Sequence, residues 1–455
     1  MLVDLCMDSG ISHIMQLSNR FSCASLTSAT NRALSVSSFS RAIRLVFTLG
    51  PFLLFARYGF AASQVSGLHS VLYATRGNPT TAISTRDGRY VFVSVTNVDQ
   101  PNFSGPDSVA GGRKDAVSGI EVFRRAHGTL TSIAFVRTGS TGANGLVLLR
   151  GERTLVIGVG DEGVAFLDVR DLIHGKAQPR FAHQTQAAGT FDVVAGPDGR
   201  YVFSSNEYGT VDGQRGSVGV IATYIDRHGR VLDPKTIGQI AVGDVVPSLS
   251  ISPDGTRLYV ASELIRAQNS HSIAGSGNPR LSKSDCVQRQ GTPPRPNGYI
   301  SVIDVHRAVA LSDSPIVARV ASGCSPVRLV ETADARELFV SARGDNAILA
   351  FDPALLETDP EHALLRSIPS GGTAPVGMRL LQGDHMLAVA NSNRFVDSNG
   401  NLAILGLSVD PQDTKPLLLS AGRFPRNLSL SSDGMTLYLT NYTSRSLQVI
   451  GVPQH

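Results

Sequence analysis

A turn containing Asp-Gly, followed by a short apolar strand that ends in a small or amide residue, recurs along most of the chain. The seven copies, of which the second, fifth and sixth are degenerate, occupy residues 86–94, 150–158, 197–205, 253–261, 333–341, 382–390 and 432–440. They follow one another at spacings of 47 to 80 residues. Recurrence of one local pattern at such spacings is typical of repeat architectures.

Each copy is flanked by further short apolar strands. In the fourth repeat one strand precedes the turn at 248–252, another follows at 298–305, and a last one at 316–321 leads into the next repeat. Four short strands separated by tight turns are typical of a propeller blade. No stretch has the period of a long amphipathic helix, which disfavours an α/β fold. The sequence therefore predicts an all-β, seven-bladed β-propeller with four-stranded blades.

The last repeat ends after its third strand, at Val452. A strand pattern at 70–75 precedes the first repeat, and it is followed by a Gly-Asn-Pro segment like those that open other blades. We expect this N-terminal strand to complete the C-terminal blade and close the ring, because closure removes exposed sheet edges.

The repeat strands resemble a known family. The segments Leu258-Tyr-Val-Ala-Ser262, Leu437-Tyr-Leu-Thr-Asn441 and Ser252-Pro-Asp-Gly255 are similar to the YVTN-type β-propeller repeat. That repeat belongs to the lactonase-like seven-bladed propeller superfamily, and the resemblance extends over about residues 68–452. It implies the fold but not one function, because the family includes exported binding proteins, lactone hydrolases and subunits of redox enzymes.

The first 61 residues do not share the repeat pattern. A Ser- and Arg-containing stretch precedes an apolar run at 45–56, and the small residues Gly59 and Ala61 follow. This order is typical of a secretory signal, so we expect residues 1–61 to be a leader and 62–455 to be one propeller exported to the periplasm or the extracellular space. A run of twelve residues is too short to cross a bilayer, so no membrane span is expected in the mature chain. The alternative is a disordered N-terminal extension.

The charge changes once the leader is set aside. The whole chain has a net charge of +4 and a pI of about 8.9, but residues 1–61 hold five Arg and two Asp, which leaves +1 for the remainder. No basic cluster is interleaved with aromatic residues, so nucleic acid is disfavoured as a partner. The 45 glycines among 455 residues exceed the average of about 7%, as expected for many tight turns.

Two insertions, at 97–118 and 263–297, are predicted to extend the same face of the propeller. Insertions on one face of a repeat protein often mark its binding face. Cys286 lies in the second insertion and Cys324 in the neighbouring loop, so a disulfide between them is expected in an oxidising compartment. The alternative is two free thiols in a cytosolic protein.

The same face is predicted to collect polar side chains at the ends of second strands and at the beginnings of blades. The candidate ligand-binding residues are Glu207, Glu263, Arg343, Asp345, Asn346, Asn391, Asn393, Arg394, Arg423, Arg426 and Asn441, with Asn97, Asn206 and Tyr442 nearby. Converging guanidinium groups favour an anionic ligand. Alternatively, the amides cap turns and the arginines pair with carboxylates of neighbouring blades. The spacing of the histidines predicts no metal site, and no cofactor is expected.

These features favour an exported binding or interaction module whose insertion-bearing face takes a protein, a glycan or a small anionic ligand. The alternative is a lactone hydrolase, with Glu207 or Glu263 as a base beside Arg343 or Arg394. No catalytic motif supports that alternative, because the chain lacks a Gly-x-Ser-x-Gly elbow and a His-Glu-x-x-His sequence. Only the family resemblance implies hydrolysis.

Overall fold

The computed structural model describes residues 68–98, 117–139, 142–209, 211, 215–264, 274, 297–394, 398–407 and 415–452. The predicted leader, most of both predicted insertions and Cys286 lie outside the described residues. Those predictions therefore stay predictions.

The described chain forms seven antiparallel sheets of four strands each, which are the blades of a β-propeller. The first strand, β1 (Ser70–Ala74), lies before blade one. Blade one consists of β2 (Asn78–Ser84), β3 (Tyr90–Thr96), β4 (Ser118–Ala126) and β5 (Thr129–Gly139). Blade two consists of β6 (Leu146–Leu148), β7 (Thr154–Val159), β8 (Gly163–Asp168) and β9 (Arg180–Ala182). Blade three consists of β10 (Ala187–Ala195), β11 (Tyr201–Gly209), β12 (Ser217–Ala222) and β13 (Lys235–Ala241).

Blades four to seven repeat this order. Blade four consists of β14 (Ser248–Ile251), β15 (Arg257–Ser262), β16 (Tyr299–Asp304) and β17 (Ile316–Ala321), and blade five of β18 (Pro326–Glu331), β19 (Leu338–Ala342), β20 (Ala347–Phe351) and β21 (Leu364–Pro369). Blade six consists of β22 (Pro375–Leu381), β23 (Met386–Asn391), β24 (Asn399–Gly406) and β25 (Leu417–Arg423). Blade seven contains β26 (Pro425–Leu430), β27 (Thr436–Asn441) and β28 (Ser446–Gly451). The sequence-based prediction of seven four-stranded blades is confirmed.

Three one-turn helices follow the third strands of blades two, four and five: α1 (Val169–Ile173), α2 (Val305–Val309) and α3 (Leu355–Thr358). Asp168 and Asp304 cap the first two, because each carboxylate accepts a backbone N–H of the first turn. Among the described residues, no helix is long and apolar enough to cross a membrane.

The N-terminal strand closes the ring as predicted. β1 pairs antiparallel with β28, from Ser70 opposite Ile450 to Ala74 opposite Ser446. Blade seven thus takes three strands from the C-terminal end of the described chain and its outermost strand from the N-terminal end. The pairing of β1 with β28 protects the backbone edge of β28.

The core lies between neighbouring blades. Every residue of β7 and of β27 is buried, whereas no residue of the outermost strand β13 is fully buried. A middle strand is covered on both faces by adjacent blades, which explains why these segments are near-continuous apolar runs rather than alternating patterns.

The Asp-containing turns share one hydrogen-bonded arrangement. In blade four the Ser252 hydroxyl donates to Asp254 at 2.6 Å, and the same carboxylate accepts the Thr256 backbone N–H at 3.0 Å. These bonds hold the pKa of Asp254 below its usual value. Equivalent hydroxyl–carboxylate bonds occur at Asp87, Asp334 and Asp433. The repeated sequence pattern therefore encodes a repeated turn.

Candidate functional site

Charged side chains converge at one end of the propeller, on the face where second strands end and new blades begin. Glu207 lies near the end of β11, while Glu263 and Arg343 directly follow β15 and β19. Arg394 lies three residues after β23, and Arg426 is the second residue of the innermost strand β26. The antiparallel order of every blade brings these positions to the same face.

Glu263 and Arg343 form a buried ion pair between blades four and five. Arg343 Nη2 lies 2.6 Å from Glu263 Oε2, and each side chain is 6% exposed. Arg343 begins a single 3-10 turn, Arg343–Asp345, which Asn346 ends with a φ of 54°. This tight turn directs the arginine inward toward the neighbouring blade.

Glu207 is buried beside this pair. The Tyr208 hydroxyl hydrogen bonds to its carboxylate, and within the described part of the chain no ion pair to Glu207 forms. Burial, followed by the negative charge of Glu263, raises the pKa of Glu207 to about 7, although Arg426 and Arg394 act in the opposite direction. Glu207 therefore changes charge near neutral pH.

Arg426 is held mainly by aromatic rings. Its guanidinium carbon lies 4.8 Å from the ring centre of Phe191 and 5.1 Å from that of Tyr442. Arg426 is 3% exposed, and its Nη1 is buried without a hydrogen-bond acceptor among the described residues. Burial lowers the pKa of Arg426 to about 10, so it remains cationic at neutral pH.

Arg394 approaches the same region from blade six. Its guanidinium carbon lies 5.8 Å from the Phe424 ring centre. Burial and the nearby charge of Arg343 lower the pKa of Arg394 to about 10. Two cations with limited access to water therefore approach the carboxylate of Glu207.

The sequence-based prediction missed two charged residues of this region, Asp192 and Arg328. Arg328 Nη1 donates to the Pro247 and Val327 carbonyls at 2.9 and 2.7 Å, and burial lowers the pKa of Arg328. Burial raises the pKa of Asp192, whose carboxylate accepts the Ser248 hydroxyl at 3.0 Å. A charged residue within an innermost strand was the available signal, but it is not specific, because Glu331 in β18 and Arg379 in β22 share it.

We name these seven residues the arginine cluster: Asp192, Glu207, Glu263, Arg328, Arg343, Arg394 and Arg426. It contains four guanidinium groups and three carboxyl groups. Glu263 is paired with Arg343, and Asp192 acts on Arg328 and Arg426. With all seven groups ionised, four cations face three anions. The cluster is therefore cationic, and it becomes more so when Glu207 is protonated.

Several predicted site residues hold loops together instead of joining the arginine cluster. Asp345 accepts the Cys324 backbone N–H at 2.7 Å, and Asn346 accepts that of Ala374 at 2.8 Å. Asn441 Oδ1 accepts the Gly422 N–H at 3.0 Å. These contacts match the turn-capping alternative.

The remaining predicted amides have similar structural partners. Asn391 donates to the Ser370 carbonyl at 2.9 Å, and Asn393 donates to the Asn399 carbonyl at 2.7 Å. Arg423 is the last residue of β25, and its backbone N–H donates to the Ser444 hydroxyl at 2.7 Å. Cys324 is buried in the loop that leads into blade five.

A separate cavity of about 470 Å³ lies between the outer edges of blades two and three. Phe181, His183 and Ile237 contribute to its wall, and Lys235 is its one charged lining residue, since the lining contains no Asp, Glu or Arg. It is therefore distinct in position and chemistry from the arginine cluster.

The fold and the cluster define a closed seven-bladed β-propeller with a cationic centre on one face. No family model matches the chain, and no curated protein matches it in sequence. Among solved structures, the chain is similar to a chain in the crystal structure of the mitotic checkpoint complex, with a TM-score of 0.56 and 12% identity over 90% of this chain and 100% of that one. It is also similar to the β-propeller domain of Cps50 (Swd1) from Myceliophteria thermophila, with a TM-score of 0.52 and 12% identity over 83% and 96% of the two chains. At this identity the likeness concerns the fold alone.

Proposed function

We propose that this protein is a binding module whose insertion-bearing face takes an oxyanion group, a carboxylate or a phosphate, into the arginine cluster. The observation that carries the proposal is the buried Nη1 of Arg426, which has no acceptor among the described residues. A buried donor without an acceptor is costly, and a bound oxyanion would satisfy it.

The surroundings of Arg426 favour a charged acceptor over a neutral one. Arg328 and Arg394 add positive charge, and the rings of Phe191 and Tyr442 limit access of water. A guanidinium group binds carboxylate or phosphate oxygens with two parallel hydrogen bonds. The anionic group could belong to a small molecule, a glycan or a protein partner. The similar chain in the mitotic checkpoint complex is itself part of an assembly, which supports an interaction role for the fold.

The test is calorimetric titration of the purified protein with acetate and with sulfate, against sodium chloride at equal ionic strength. We expect saturable binding of at least one of the two anions, and a loss of at least about tenfold in affinity for Arg426→Gln. Arg336→Gln is the matched control, because Arg336 is 84% exposed in the turn between β18 and β19, at the opposite face from the cluster. Absence of saturable binding of both anions at every pH tried would contradict the proposal, and so would an equal loss in both variants.

Export is part of the same proposal, together with a Cys286–Cys324 disulfide. The apolar run at 45–56 and the small residues after it support a cleaved leader. Mass spectrometry of the mature protein should find an N-terminus near Ala62 and a mass two hydrogens below that of the reduced chain. An intact Met1 or two free thiols would count against export.

A lactone hydrolase of the YVTN or lactonase-like type is the second candidate. One observation favours it: Glu207 titrates near 7 beside Arg394 and Arg426, which suits a general base facing a developing oxyanion. Glu263 is a poorer base than the sequence suggested, since Arg343 occupies its carboxylate. A panel of lactones assayed with the wild type and with Glu207→Gln tests the candidate. Turnover that the variant lacks would support hydrolysis, and no turnover of any lactone would count against it.

A further inference from the structure

We propose that oxyanion binding at the arginine cluster is coupled to the uptake of one proton by Glu207, so that the site binds its ligand more tightly as the pH falls. This inference rests on the proposed function and adds its regulation. The geometry behind it is the burial of an acid and an unsatisfied donor on one face: Glu207 is buried near the end of β11, and Arg426 is buried with its Nη1 lacking an acceptor among the described residues. Glu207 and a ligand at Arg426 would therefore compete for the field of the same cations, Arg394 and Arg426.

The neighbours of Glu207 on each packed element define that competition. On its own strand β11 the Tyr208 hydroxyl bonds to it, and the guanidinium carbon of Arg215 lies 5.2 Å from the Tyr208 ring centre. Glu263 faces it from blade four. The cations that act on it, or on which it acts, are Arg328, Arg394 and Arg426.

The charge of the cluster explains the direction of the coupling. With all seven groups ionised, four cations face three anions, and the Glu263–Arg343 pair is already matched at 2.6 Å. A ligand anion that enters beside Arg426 adds a negative charge next to Glu207. Two like charges in one water-poor site favour protonation of the weaker acid. Ligand binding therefore shifts Glu207 further toward its neutral carboxylic form, which takes its proton from the buffer.

Acetate and sulfate are suitable probes, because sulfate is fully ionised and acetate almost fully ionised between pH 6 and 8, so proton uptake comes from the protein. Titrations of the full chain are made at pH 6, 7 and 8, each in two buffers that differ in ionisation enthalpy. We expect affinity to be on the order of tenfold higher at pH 6 than at pH 8, with uptake of up to about one proton per site. The wild-type measurement alone can overturn the inference, whether or not any variant folds.

Two variants in which Gln replaces Glu test which residue takes up the proton. Glu207→Gln should bind equally at pH 6 and pH 8 without proton uptake. Glu331→Gln is the matched control, because Glu331 ends β18 at the opposite face and its pKa is also raised to about 7; it should keep the uptake of the wild type. If both probes bind without dependence on pH, the coupling is wrong while the binding function stands. If neither probe binds at any pH, the proposed function itself fails. Uptake that persists in Glu207→Gln, or disappears in Glu331→Gln, would refute the assignment.

Discussion

Arg343 and Glu263 join blades four and five through an ion pair of 2.6 Å that is almost completely buried. Burial removes both groups from water, so each depends on the other for compensation. Replacing Arg343 by Leu leaves the Glu263 carboxylate buried without this cation. We expect Arg343→Leu to lower the free energy of unfolding by about 3–5 kcal/mol.

The double variant Arg343→Leu/Glu263→Leu separates the pair from its surroundings. We expect it to be more stable than either single variant, because no buried charge then lacks its partner. Urea denaturation of the wild type, both single variants and the double variant closes the cycle. A double variant as unstable as the sum of the two singles would show that the pair contributes no coupling.

The repeat sequence predicted the fold because the same turn and strand recur in phase. It also predicted the closing strand, because the last repeat lacks a fourth strand of its own. Of the candidate site, the sequence predicted only some of the residues that the structure brings together. Glu207, Arg394 and Arg426 belong to the cluster, but Asn441 and Asn346 hold loops, since an amide at a strand end suits both roles. Arg328 was missed because its role depends on which side chains of innermost strands face the centre, and that is set by packing of distant blades.

The closing strand has a register that can be tested with proline. Thr75 N–H donates to the Arg445 carbonyl, and Gly451 N–H donates to the His69 carbonyl. Because hydrogen-bonded pairs alternate along an antiparallel ladder, Val71 opposite Val449 is also hydrogen bonded, whereas Leu72 opposite Gln448 is not. We expect Val71→Pro to destabilise the propeller by about 1–3 kcal/mol through the lost bond and local distortion.

Leu72→Pro is the matched control. Both side chains are about half exposed, at 51% and 43%, so neither substitution removes a core contact. Thermal unfolding should show a larger decrease in Tm for Val71→Pro than for Leu72→Pro. Equal decreases, or a larger one for Leu72→Pro, would contradict the inferred register.

The Asp-Gly turn offers a stabilising change. Ala335 has a φ of 56° at the position where blade seven has Gly434, with a φ of 72°. A left-handed backbone costs an L-residue about 1–2 kcal/mol, and glycine avoids this cost. We expect Ala335→Gly to raise stability by up to about 1 kcal/mol. Gly434→Ala should lower it by a similar amount, because a Cβ there meets no atom within 4 Å and only the backbone is strained. Chemical denaturation of both variants measures the two changes in the free energy of unfolding. If both variants are stabilised, or both destabilised, the prediction is wrong.

Glu331 has a partly buried carboxylate at the end of β18. The Tyr259 hydroxyl donates to Oε1 at 3.3 Å, and Oε2 is buried without a partner among the described residues. Burial raises the pKa of Glu331 from 4.5 to about 7. The folded state therefore favours the protonated carboxyl, and this contribution to stability is complete below pH 4.5 and is lost as the pH rises through about 7.

Glu331→Gln replaces the carboxyl group with a carboxamide of similar shape that is uncharged at every pH. We expect the variant to match the wild type at pH 4.5 and to be more stable than the wild type by about 1–3 kcal/mol at pH 8, after allowance for partial solvent access. Urea denaturation at both pH values measures this difference, and Glu361→Gln, which changes an exposed carboxylate, is the control. If the difference in stability between Glu331→Gln and the wild type is the same at pH 4.5 and pH 8, the carboxyl of Glu331 is not buried as proposed. Only a carboxyl whose charge destabilises the folded state makes that difference depend on pH.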